Sequence, residues 1–217
     1  MQIIDNFFKN PHDVRRLAIS LKDDYFDCEV YSWPGRRVEV PDPLKSQYAS
    51  RIREAVGDDK LSLVNCYFQW VDHSYVGGST HFDPYVYTCI TYLNENPLSN
   101  SGTEVYDSIF SYKKSENVPD RLDEFQYVKC GFYKSQRNNL QKIGFNRKLK
   151  KSNSYFKDPC VVANKFNRSV IFESPRLHRA QNFFGNSIKD SRFTIIAFMT
   201  YPGKDPIRIS KSDSRVR

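Results

Sequence analysis

The stretch THFDPY at residues 80–85 decides how the rest of the chain is read. His81 and Asp83 stand two apart, and VYTCITYLN follows at 86–94, a β-branched and aromatic run that favours a strand. On extended backbone the side chains alternate with a period of two, so His81 and Asp83 share a face. An imidazole nitrogen beside a carboxylate oxygen suits a borderline divalent metal. Two histidines and one carboxylate form the facial set of non-haem Fe(II) sites. The same six residues also fit an ordinary surface turn, so a third ligand has to come from elsewhere.

The chain holds four histidines, at 12, 73, 81 and 178. His12 falls in the first turn of a helix, as a solvated or capping residue. His73 lies in the loop VDHSYVGG with no carboxylate two residues on. His178 follows RSVIFESPRL, a strand ending in a Ser-Pro turn, and can point into a site from there. It fits equally well as a structural histidine beside Arg179. Arg192 opens the apolar run RFTIIAFMTY. A guanidinium entering a sheet interior must find an anion, and its rigid fork suits a carboxylate. A surface pairing with Asp190 is the other reading of Arg192.

Composition narrows the class. With 39% hydrophobic residues and 15% aromatics in 217, the chain can bury one sizeable core and is not of the disordered type. The net charge of +8 favours anionic partners without naming one. Cysteines at 28, 66, 89, 130 and 160 include no CxxC pair, which argues against a zinc knuckle or disulfide framework and for a reducing cytoplasm. No apolar run approaches the roughly 20 residues of a membrane helix, and MQIIDNFFKNPHD is not a signal peptide. The expected location is cytoplasmic.

Along the chain, helices precede strands. Asn10-Pro11 predicts a helix start, with Val14, Leu17, Ala18 and Leu21 on one face. Pro43 opens a second helix with Leu44, Tyr48, Ile52 and Val56 in a stripe, and Gly57 can end it. From Leu61 onward LSLVNCYFQWV, VYTCITYLN, TEVYD, CVVAN, RSVIFE and RFTIIAFMTY read as strands. The expected fold is mainly β with flanking α-helices, an antiparallel sandwich or barrel. Residues 1–60 form N-terminal helical support, 61–106 and 160–201 the barrel strands, 107–159 a basic insertion, and 202–217 a polar tail. From Phe125 through Lys157 there are nine Lys or Arg and no acid.

Several stretches together resemble the 2-oxoglutarate- and Fe(II)-dependent dioxygenases, in particular their prolyl-hydroxylase-like branch. They are NCYF at 65–68, THFD at 80–83, TCITYLN at 88–94, Gly102-Thr103-Glu104, NRSVIFESPRLH at 167–178 and RFTIIAFMTY at 192–201. With NFFKNPHDVRRLA at 6–18, the pattern is also similar to uncharacterised bacteriophage oxygenases of this type, which would put the protein in a host cytoplasm. The resemblance implies a double-stranded β-helix, a jelly-roll or cupin-like barrel. It implies that His81, Asp83 and His178 hold Fe(II) and that Arg192 binds the far carboxylate of 2-oxoglutarate. Tyr92 would share that carboxylate, Tyr67 would be a second tyrosine near the cosubstrate, and Thr194 would donate to the same group. With O2 as oxidant, such an enzyme hydroxylates a C–H bond of a peptide, protein or small molecule and releases succinate and CO2.

Two further stretches bear on the substrate. YSWPGRRVEV at 31–40, with Trp33, Arg36 and Arg37, is either a pocket rim or a plain Pro-Gly turn. The 129–151 segment interleaves aromatics with basic residues, a mixture that can grip nucleic-acid phosphates and stack on bases. The alternative function is therefore a nucleic-acid-directed oxygenase or a basic binding module, and the alternative for the segment itself is a solvated flap. Neither the primary substrate nor the oligomeric state is written in the sequence.

Overall fold

A computed structural model describes residues 1–28, 33–75, 77–109 and 139–203. Its ten strands form two antiparallel sheets. The strands are β1 (Gln2–Ile4), β2 (Phe26–Asp27), β3 (Arg36–Glu39), β4 (Ser62–Val71), β5 (Tyr87–Tyr92), β6 (Thr103–Ile109), β7 (Cys160–Val162), β8 (Ser169–Glu173), β9 (Arg176–Ala180) and β10 (Arg192–Thr200). The large sheet runs β1-β8-β5-β10-β4-β3-β2 and the small one β7-β6-β9. Among the described residues three helices complete the order: α1 (Pro11–Ser20), α2 (Leu44–Val56) and α3 (Asn139–Asn153).

The predicted strands all form, and β10 lies at the centre of the large sheet between β5 and β4. Eight of its nine residues are buried, which explains why RFTIIAFMT reads as a nearly unbroken apolar run. The two faces of this sheet differ in character. Cys66 and Phe68 of β4, Cys89 of β5, and Phe193, Ile195, Ala197 and Met199 of β10 join one core with Val14 and Ala18 of α1 and Tyr48, Ala49 and Ile52 of α2. The other face turns toward the small sheet: Ile90, Tyr92, Val170 and Phe172 pack with Val105 and Val162.

The helix boundaries follow the sequence closely. Gly57 closes α2 in the left-handed conformation at φ 75°, as its lack of a Cβ allows. Asn10 precedes α1 as expected, but its side chain makes no capping hydrogen bond. Pro43 stands at the N-cap of α2, immediately before Leu44, as the sequence predicts. The insertion is partly helical through α3, whose Phe145 and Leu149 pack with Val71, Tyr75 and Phe183. Residues 110–138, the rest of the insertion, and the tail beyond 203 lie outside the described residues.

Candidate metal centre

The first two candidate ligands come from the segment between β4 and β5, the third from β9. Backbone hydrogen bonds join them: His81 N–H donates to His178 O at 2.9 Å, and His178 N–H returns one to His81 O at 2.8 Å. Asp83 N–H donates to Ser174 O at 2.9 Å, tying the same segment to the β8–β9 turn. Gly78 lets this segment lie against β9, because a Cβ there would meet Ala180 O at 2.6 Å. His178 therefore sits within a strand, facing the pair across a two-residue bridge, and not at a strand end as the sequence suggests.

One ligand atom each from His81, Asp83 and His178 lies within 4.8 Å of the others. His178 Nε2 is 3.2 Å from Asp83 Oδ2, and His81 Nε2 is 3.9 Å from Asp83 Oδ1. Both Nδ1 atoms face backbone carbonyls, His81 toward Ser79 O and His178 toward Arg176 O, each at 2.8 Å. A proton on each Nδ1 satisfies those carbonyls and leaves the Nε2 lone pairs directed at the carboxylate. The carboxylate is held as well, since Thr88 Oγ1 donates to Asp83 Oδ2 at 3.1 Å and contacts Ser174 Oγ at 2.8 Å. Thr88 went unnoticed in the sequence, where the only signal was its place on the same strand face as Ile90 and Tyr92. The donor set fits a divalent metal such as Fe(II).

Beside the three ligands lies a cavity enclosing about 710 Å³, open mouth included. Arg192 lines it and is buried. Its Nε donates to Ser101 O at 3.1 Å and its Nη2 to Thr103 Oγ1 at 3.3 Å, while the guanidinium carbon stands 5.6 Å from the Tyr92 ring centre. Among the described residues no carboxylate pairs with it, and burial lowers the pKa of the guanidinium. Thr194, two residues on along the same face of β10, has a buried hydroxyl with no hydrogen-bond partner. A buried cation without an anion and a buried donor without an acceptor are costly features that a bound dicarboxylate would satisfy. The surface reading of Arg192 as a partner of Asp190 does not hold: Asp190 Oδ1 instead accepts from Asn186, Ser187 N and Ser187 Oγ.

The tyrosines divide. Tyr92 packs beside Arg192, its hydroxyl donating to Thr103 Oγ1 at 2.6 Å. Tyr67 lies apart, on the wall of a second cavity of about 850 Å³ shared with Phe26, Tyr85 and Phe198. Trp33, Arg37 and Asp83 line both cavities. The Trp33-Pro34-Gly35 segment is thus a turn and a pocket wall together. Gly35, at φ 82°, passes so close to β4 that a Cβ would meet Trp70 O at 2.3 Å. Arg36 points the other way, over the Trp70 ring.

The remaining sequence candidates stay outside the centre. His12 contacts Glu95 and His73 contacts Gly185 O, both at exposed positions. Of the basic segment, residues 129–138 lie outside the described residues. In α3, Phe145 is buried in a small apolar cluster and so is not available to stack on a base. Among the described residues no helix is long and apolar enough to cross a membrane. The described cysteines 28, 66, 89 and 160 are unpaired thiols, and burial raises Cys28 to about 11 and Cys89 to about 12.

DUF6445, described only as a family of unknown function, matches residues 1–199. The chain belongs to the DUF6445 family. No curated protein sequence matches this DUF6445 protein. Solved structures do. The epimerase SnoN, in complex with Fe3+, alpha ketoglutarate and nogalamycin RO, is 11% identical with a TM-score of 0.55, over 95% of this chain and 88% of that one. HygX from Streptomyces hygroscopicus, with nickel, 2-oxoglutarate and hygromycin B bound, is 13% identical with a TM-score of 0.54, over 95% and 84%. A prolyl-4-hydroxylase from Pseudomonas putida is 12% identical with a TM-score of 0.52, over 93% and 92%. At these identities the likeness establishes that this DUF6445 chain shares the fold of 2-oxoglutarate- and iron-dependent oxygenases.

Proposed function

We propose that this DUF6445 protein is an Fe(II)- and 2-oxoglutarate-dependent dioxygenase that hydroxylates a C–H bond of a small molecule or peptide. One observation carries the reading: His81, Asp83 and His178 present three donors within 4.8 Å, beside a cavity lined by a buried Arg192 with no carboxylate partner among the described residues. The likeness in fold to SnoN, solved with Fe3+ and alpha ketoglutarate, and to HygX, solved with nickel and 2-oxoglutarate, supports it.

In this reading His81, Asp83 and His178 would hold the iron. Arg192 binds the far carboxylate of 2-oxoglutarate, Thr194 donates to it, and Tyr92 fixes the plane of the guanidinium from below. Iron with 2-oxoglutarate and O2 supplies the oxidising power for hydroxylation, with succinate and CO2 as coproducts. The chain's own task is to place one C–H bond against that centre and to keep bulk water from it. Ile90, Ile196 and Phe198 make that side of the cavity apolar. Tyr67, on the second cavity, is assigned to the substrate side rather than to the cosubstrate.

The test is anaerobic titration with Fe(II) and then 2-oxoglutarate, followed through the weak visible charge-transfer band. His81→Ala is expected to lose the metal. Arg192→Met is expected to retain it while weakening 2-oxoglutarate by at least about tenfold, the loss of a charge-assisted pair. Wild-type titrations in both variants would overturn the assignment.

A further inference from the structure

A second buried arginine lines the same cavity as Arg192. Arg37 lies on β3, and the sheet register places it beside Gln69 of β4, which in turn pairs with Thr194 of β10. Arg37 and Thr194 are thus two strands apart, roughly 10 Å at the usual strand spacing. Arg37 is 9% exposed and lines both cavities. Its Nη2 donates to Gln69 Oε1 at 3.2 Å, and Gln69 is itself anchored, its Nε2 donating to Pro34 O at 2.8 Å. The guanidinium carbon stands 5.2 Å from the Trp33 ring centre and 5.6 Å from that of Tyr67. Its buried Nε has no hydrogen-bond partner, and among the described residues no carboxylate lies within ion-pair distance of it.

A buried guanidinium held between two aromatic rings, with one donor left unsatisfied, is costly unless an anion arrives. Charge counting points the same way and rests on the proposed oxygenase reading. Ferrous iron, ionised Asp83, dianionic 2-oxoglutarate and Arg192 together cancel formally. Arg37 then remains as one uncompensated positive charge at the junction of the two cavities. Beside Asn65, Asp83 and Pro84, the second cavity has an aromatic wall of Phe26, Tyr67, Tyr85 and Phe198, with Tyr85 stacked on Phe198 at 4.6 Å between ring centres. Such walls accept a flat apolar body.

We propose that Arg37 determines specificity for the primary substrate, a small molecule with an anionic group, carboxylate or phosphate ester, on a flat apolar body. The anion docks on the guanidinium and the body lies along the aromatic wall, which holds the molecule beside the metal ligands.

Trp33 gives the readout. The chain has two tryptophans, and Trp70 belongs to the opposite face of the sheet, so a Trp70→Phe background isolates the Trp33 emission. Benzoate, phenyl phosphate and neutral benzamide are titrated onto the full chain. Benzoate or phenyl phosphate is expected to change the emission, and whichever does so identifies the anion. Benzamide is expected to have no effect at the same concentrations. Arg37→Met should weaken the anion at least about tenfold, with a far smaller effect on the 2-oxoglutarate titration. It should melt no lower than its parent, because a buried unpaired charge has been removed. The proposal is overturned by equal responses to benzamide and the anions, by unchanged anion binding in Arg37→Met, or by a large drop in melting temperature marking a structural role. It also falls if Arg192→Met, and not Arg37→Met, abolishes the response. Anion binding that needs Arg37 in a chain that takes up neither iron nor 2-oxoglutarate would sink the oxygenase reading and leave the anion site standing.

Discussion

The two faces of the central strands can be set against each other residue by residue. On β10, Phe193, Ile195, Ala197 and Met199 look toward the helices, and each is fully or nearly fully buried among apolar neighbours. Arg192, Thr194, Ile196 and Phe198 alternate with them and look toward the metal ligands. On that side the sheet carries an arginine with no carboxylate partner among the described residues, a hydroxyl with no hydrogen-bond partner, and across β4 a second such arginine. Polar groups occur on the helical face as well: Arg15 Nε and Nη1, beside the Phe193 ring, and Arg51 Nε, over the Phe7 ring, have no hydrogen-bond partner, although Arg15 Nε lies 3.3 Å from Glu95 Oε2. Tyr48 Oη contacts Thr91 Oγ1 at 2.6 Å and Cys89 Sγ at 3.1 Å. One strand, with side chains alternating at period two, therefore faces the main core on one side and the candidate site on the other. Arg37 and Arg192, unlike Arg15 and Arg51, line the cavity beside His81, Asp83 and His178.

The largest expected effect lies on the helical face. Phe68→Ala opens a cavity in the main core and should cost about 3–5 kcal/mol. In a chain of this size that lowers the melting temperature by roughly 10 °C, seen in a thermal scan. Asn153→Ala should follow at about 1–3 kcal/mol. The Asn153 side chain, at the end of α3, accepts from Thr80 N and Thr80 Oγ1 and donates to Gly78 O, all at 3.0 Å. Its loss releases the segment that leads into His81. Metal titration should then show weaker Fe(II) binding although no ligand has been touched. A drop in melting temperature with unaltered metal affinity would separate the insertion from the centre.

Smaller effects sharpen the contrast further. Tyr48→Phe removes a satisfied hydroxyl from the helical face and should destabilise by about 1 kcal/mol in denaturant unfolding. Thr194→Val removes an orphan hydroxyl from the other face, so stability should stay level or rise while 2-oxoglutarate affinity falls. If both hydroxyl deletions destabilise alike, the distinction between the faces is wrong. The smallest effect belongs to the small sheet. Burial pushes the Glu104 carboxyl up, but hydrogen bonds from Arg179 and Tyr106 outweigh this and hold it below the ordinary carboxylate range. The unfolded chain therefore takes up that proton first as the pH falls. The stabilisation is complete above the ordinary Glu value of about 4.3 and fades as acid titrates the folded carboxyl. Melting curves of Glu104→Gln and wild type should converge over that acid range.

Much of this arrangement was legible from local pattern. Runs rich in β-branched and aromatic residues located β4, β5, β8 and β10, and the apolar stripes located α1 and α2. Other features were not legible because they depend on partners distant in the chain. Thr88 as the brace of Asp83 depends on β5 lying against the β8–β9 turn. The contact of Asn153 with Thr80 spans 73 positions. Arg36 and Arg37 are neighbours of identical type, and only the pairing of β3 with β4 turns one outward and the other into the cavities.

The sequence by itself determined that His81 and Asp83 share a face if the segment is extended, that the chain is mainly β with two leading helices, and which strand begins with an arginine. These are consequences of local backbone geometry, since the period of side-chain direction is a property of the strand. Only the tertiary structure decided that Arg192 is buried, that Tyr67 stands apart from it, and that Arg37 faces inward. Those outcomes depend on strand order and register, which bring residues up to about a hundred positions apart into contact through the hydrogen-bond ladder and not through any spacing along the chain.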